Sequence, residues 1–156
     1  MGNFFQRLLD SLSSLFYAPL KALGYDHPVH PVLVHITIGS VTAAFLLSFI
    51  GWIFAKSVLY RSARHVINIA AIAYLFTAAV GFLDWDHNYQ LAWGINIEMK
   101  LILASILGVL LLATFLTNRL VAEESKLHQL LYLLCFLSVV GLGFFGGNIV
   151  YGSGVG

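Results

Sequence analysis

The chain has 156 residues, 60% hydrophobic and only 10% charged, with a net charge of +1. Water-soluble domains carry roughly 25% charged residues, so a soluble globule is excluded and the lipid bilayer is the expected solvent. The near-zero net charge argues against a nucleic-acid-binding surface. The single cysteine, Cys135, rules out an internal disulfide or a thiolate cluster.

At the N-terminus, no compact apolar core with a small-residue cleavage site marks a cleavable leader. Instead Phe4, Phe5, Leu8, Leu9, Leu12, Leu15 and Phe16 recur at helical spacing, with Gln6, Arg7, Asp10, Ser11, Ser13 and Ser14 between them. This pattern predicts an amphipathic helix in the membrane interface or against a partner subunit. Pro19 is expected to end or kink it. Residues 1–24 are read as this helix and a linker, and residues 25–156 as a four-span membrane domain.

Four apolar runs follow, at about residues 32–55, 66–83, 99–117 and 127–145. Each approaches the roughly 20 residues that a helix needs to cross the hydrocarbon layer. Pro31 suits a first helical turn, with His30 near the cap. The links, residues 56–65, 84–98 and 118–126, are short enough to predict antiparallel neighbours. The expected fold class is therefore all-α and integral to the membrane, a four-helix transmembrane bundle with an N-terminal interfacial helix. Lys56, Arg61, Arg64, Arg119 and Lys126 outnumber Arg7, Lys21 and Lys100 on the other side. By the positive-inside rule the first and third links face the cytoplasm and both termini face the periplasm.

An even number of crossings gathers His30, His35, Asp84, Trp85, His87, Glu98, Asn148 and Tyr151 at one membrane face. His35 lies about one turn inside the first span, where an imidazole is costly unless paired, liganded or wet. Gly39 and Ala43 share its face and leave room for a flat cofactor or for a close helix. His30 and His35 are five residues apart, roughly 140° of rotation at 3.6 residues per turn, so they do not form an i,i+4 ligand pair. Asp84 and Asp86 oppose the dipole of their own helix and need a counter-charge, with Lys100, His35 and His30 as candidates. Glu98 suits a helix start. His65 and His128 open the second and fourth spans on the other side. Imidazoles from opposed helices are the usual means of holding haem iron from both faces. His35, His65, His128 and His30 are thus the candidate cofactor ligands, with haem b as the cofactor. No His-Glu-x-x-His motif points to a zinc peptidase. The tail from Gly141 to Gly156 is Gly-rich and suits helix packing rather than nucleotide binding. Cys135 reads as a small core residue.

Three segments carry a family resemblance. His30-Pro31-Val32-Leu33-Val34-His35-Ile36-Thr37-Ile38 resembles the His-Pro-x-x-Val-His-Phe-Pro-Ile opening of a bacterial family of four-span membrane proteins, domain of unknown function 2231. Gly81-Phe82-Leu83-Asp84-Trp85 is similar to its Gly-x-x-Asp-Trp, and Gly146 to Val155 to its Gly-Gly-x-x-Val-Tyr-x-x-Gly-Val ending. Ile36-Thr37 and Gly152-Ser153 depart from the family's Phe-Pro and Arg-His, and a third-helix His common in relatives is replaced near Glu98. The resemblance implies a bacterial cytoplasmic-membrane protein. Relatives joined to cytochrome c-like or Rieske-like domains imply redox company. The resulting expectation is a membrane redox module that exchanges electrons with a quinone or a periplasmic cytochrome c. The alternative is a non-catalytic accessory subunit of a larger respiratory or photosynthetic complex. Either is an electron-transfer or accessory component rather than a stand-alone enzyme.

Overall fold

The computed structural model describes residues 2–25, 27–120, 122 and 124–152. These residues form five α-helices and no strand: α1 (Gly2–Ala22), α2 (His30–Phe54), α3 (Ser57–Tyr89), α4 (Ile95–Thr117) and α5 (Lys126–Tyr151). The last four are long and apolar enough to cross a membrane. At 1.5 Å per residue the shortest of them still covers about 34 Å, against a hydrocarbon layer of about 30 Å.

The four spans form a closed ring. α2 packs on α3 and α5, and α4 packs on α3 and α5, which leaves α3 and α5 across one diagonal. α1 packs on α3. The centre is built from Val41 and Ala44 of α2, Ile67 and Ala70 of α3, Leu107 and Leu111 of α4, and Tyr132, Cys135 and Val139 of α5. Lipid tails are as apolar as leucine, so close packing holds these helices together, and small residues let the backbones approach. Cys135 is wholly buried among them, as its place in the run predicts.

The helices run further than hydropathy indicates. Residues 57–65, expected as a loop, are the first turns of α3; Ala55 and Lys56 alone separate it from α2. Ala55 adopts the left-handed conformation, φ 50°, and the Lys56 N–H donates to the Gly51 carbonyl at 3.0 Å. A Cβ on Gly51 would lie 3.2 Å from the Leu59 Cβ, so a small residue admits this tight corner. Polar ends misled the hydropathy reading, because helix propensity and packing do not stop where hydrocarbon does. Likewise α3 continues through Asp84 to Tyr89, and its 33 residues span about 50 Å. Gln90 and Leu91, both with positive φ, close it, and the Trp85 indole N–H donates to the Ala92 carbonyl at 2.8 Å across the turn. Pro19 does not terminate α1, which continues to Ala22.

Candidate functional site

Asp84 organises the face where α2 and α4 begin and α3 and α5 end. It is buried, with 3% of its surface exposed. Its Oδ2 accepts the His30 backbone N–H at 2.7 Å, and its Oδ1 accepts the Val29 N–H and the Asn88 side-chain amide, each at 3.4 Å. A carboxylate from the end of α3 therefore caps the start of α2. The charge that opposes the dipole of α3 is favoured by the positive end of α2, whose first N–H groups have no intrahelical partner. Val29 offers no side-chain cap of its own. Pro31 at the first turn lacks an N–H and leaves Val29 and His30 as the donors in need.

The His30 ring turns toward α3. Its Nδ1 lies 3.0 Å from the Thr77 carbonyl. A carbonyl only accepts, so Nδ1 carries the proton and the neutral ring keeps its lone pair on Nε2. The ring rests against Gly81, where an added Cβ would lie 2.6 Å from Nδ1. Beneath it the Thr37 and Thr77 hydroxyls meet at 2.9 Å. Tyr74, one turn further in, donates to the Ala104 carbonyl at 2.7 Å, and a Cβ on Gly108 would lie 2.8 Å from its hydroxyl.

These groups line a cleft of about 300 Å³ between α2, α3, α4 and α5. His30, Asp84, Lys100, Tyr74 and Ser105 supply its polar atoms, and Pro31, Phe82, Trp85, Ile97, Leu101 and Ile149 its apolar walls. The Lys100 ammonium acts electrostatically on both Asp84 and His30. The cleft thus joins a cation, an imidazole with an open nitrogen and a capped carboxylate, in surroundings that weaken charge screening.

The other sequence candidates divide sharply. His30, Asp84 and Trp85 come together with Lys100, as the clustering argument anticipates. His35 does not join them: it is exposed on α2, and His30 takes the place beside Asp84. His87 is exposed and stacks on Tyr17 of α1, with ring centroids 4.3 Å apart and planes 6° apart. Glu98 and Tyr151 are exposed, and Asn148 is half-buried near the end of α5. At the opposite end His65 is exposed on α3, whereas His128 is wholly enclosed. His128 Nδ1 donates to the Ala122 carbonyl at 3.1 Å, and its buried Nε2 finds no well-aligned hydrogen-bond partner among the described residues.

A haem held from both sides needs two imidazoles facing one space wide enough for a porphyrin. His65 and His128 do not face each other, since one points outward and the other is enclosed. Nor do His30 and His35 share a space. Among the described residues no group of three or more His, Cys, Asp and Glu side chains is arranged to hold a metal ion. Neither of these two histidine pairs fits a bis-histidine haem.

Thr77, Tyr74 and Gly108 escaped the sequence reading. A signal was there for α3: Tyr74, Thr77, Gly81 and Asp84 fall at i, i+3, i+7 and i+10, a polar and small stripe on one face of an apolar helix.

Residues 26–156 match the family model described as "Predicted membrane protein (DUF2231)". No curated protein and no solved structure matches the chain.

Proposed function

The chain belongs to the DUF2231 family of predicted membrane proteins, and on that premise we propose that it binds a quinone-class ring in the Asp84–His30–Lys100 cleft as a module of membrane electron transfer. The single observation that carries this reading is the composition of the cleft: an apolar slot at one membrane face with one cation and one open imidazole nitrogen. Lipid-soluble ligands bind in concave, mostly apolar sites of about 300–1,000 Å³ with a few placed polar groups. A quinone offers a flat ring for the Trp85 and Phe82 wall and carbonyl oxygens for Lys100. Its reduced form offers hydroxyl protons, which His30 Nε2 accepts. Oxidation of the quinol releases two protons and two electrons. His30 takes one proton, the second passes to water at the membrane face, and the two electrons leave one at a time to two oxidised carriers of the cytochrome c class on the same face. The greater number of Lys and Arg at the opposite end of the bundle supports a cleft on the periplasmic side of a bacterial cytoplasmic membrane.

Two measurements on the purified protein in lipid nanodiscs test this. Solvent extraction followed by chromatography should recover near-stoichiometric quinone. Titration with a short-chain quinone should quench tryptophan fluorescence through Trp85, and Lys100→Met should weaken the quenching at least tenfold. No extracted quinone and no saturable quenching would refute the reading. Haem b on His35 or His128 is the competing proposal, and a Soret band in the same preparation would favour it. An accessory role in a larger membrane complex ranks second, because it needs no organised cleft. Blue-native migration with other subunits, together with an empty cleft, would support it.

A further inference from the structure

α1 presents three faces. At 100° per residue, Leu9, Ser13 and Tyr17 form one stripe, and all three are buried. This stripe grips the last turns of α3: the Ser13 hydroxyl donates to Asp86 Oδ2 at 2.8 Å, and Tyr17 stacks on His87. A second stripe, Phe4, Leu8, Leu12 and Leu15, lies next to it and is uncovered, with 76%, 46%, 46% and 75% exposure. A third, Arg7, Asp10, Ser14 and Lys21, is polar and exposed. A helix that needed only its contact with α3 would have one apolar face, not two.

The depth of α1 identifies what covers the second stripe. The apolar run of α3 ends at about residue 83, and α1 holds Asp86 and His87 within about one turn beyond that end. Trp85 and Trp93, edge to face at 4.9 Å, sit at the same level, where indoles favour the junction of headgroups and hydrocarbon. The polar stripe cannot enter hydrocarbon, whereas the exposed Phe4, Leu8, Leu12 and Leu15 gain by leaving water for it. We propose that α1 is a membrane-surface helix, held edge-on to α3, with Phe4, Leu8, Leu12 and Leu15 sunk into the leaflet on the cleft side and Arg7 and Lys21 turned to the headgroups. This inference does not depend on the identity of the cleft ligand.

Site-directed nitroxide labelling of the full chain tests it. Cys135 is wholly buried and stays in place unlabelled. Single cysteines replace Phe4, Leu8, Leu12, Leu15, Arg7, Asp10 or Ser14, and the protein is reconstituted in phosphatidylethanolamine–phosphatidylglycerol vesicles. The four apolar positions should collide with oxygen in preference to a water-soluble nickel chelate, and the three polar positions should show the reverse. Nickel access at all seven would overturn the proposal. Protection of the four from both reagents would also overturn it, and would assign the stripe to a protein partner. A photo-crosslinker at Leu15 gives a second readout: adducts with phospholipid support the proposal, and adducts with protein oppose it.

Discussion

The carboxylate of Asp84 lies 2.7 Å from the backbone nitrogen of His30, and through that bond the end of one membrane span holds the beginning of another. The residue pair joins two of the motifs that carry the family resemblance. It also fixes the cleft, since the His30 side chain follows where its backbone is held. A buried charge of this kind is tolerated when it is hydrogen-bonded and meets an opposite field, and the start of α2 supplies both.

Asp84→Ala removes every acceptor for Val29 and His30 and should destabilise the bundle by about 1–3 kcal/mol. Asp84→Asn keeps one acceptor oxygen and should cost less than Asp84→Ala. Reversible unfolding in mixed micelles would rank the two. Equal losses would mean that Asp84 does not act as the cap of α2.

Gly81→Ala drives a methyl group against the His30 ring, since the added Cβ would lie 2.6 Å from Nδ1. Overpacking of this kind costs roughly 1–3 kcal/mol. In a His30→Ala background the same change should be nearly neutral. A double-mutant cycle reads the difference directly. Additive effects in the cycle would place the ring elsewhere.

Ala55→Gly should stabilise the protein by roughly 0.5–1 kcal/mol, because an L-residue is held there in the left-handed region. The gain should appear as a higher unfolding midpoint with unchanged α2–α3 packing. A loss would show that the corner between these helices is set in another way.

Both termini should be found on one side of the membrane, together with Glu98 and opposite Lys56. An impermeant thiol reagent applied to intact and inverted vesicles, with cysteines at Glu98 and Lys56, reports the sidedness. Labelling of both positions from the same side would contradict the four crossings.

Much of the bundle was legible because lipid imposes a coarse rule. Backbone groups in hydrocarbon must bond internally, so each long apolar run becomes a helix, and an even number of runs returns the chain to its starting side. That alone gathers His30, Asp84, Trp85 and Lys100 on one face. The helix ends at residues 57–65 and 84–89 were not legible, because their Lys, Arg, His and Asp residues lower the hydropathy without disfavouring a helix. The stagger of the spans set the partner of Asp84. Charge complementarity admitted His35 and His30 equally, and rotation about the α2 axis turned His35 outward and His30 inward. The pairing of His65 with His128 rested on their places along the chain, which carry no information on whether two rings face one space.

Composition and hydropathy were enough to establish a membrane solvent, four spans, a shared polar face and a buried Cys135, since each depends on how many apolar residues stand in a row. Packing between helices was needed for the rest: the capping of α2 by Asp84, the seat of the His30 ring on Gly81, and the outward turn of His35 and His65. Those outcomes depend on how each helix is rotated and shifted against its neighbours, and side-chain volumes from distant parts of the chain fix that together.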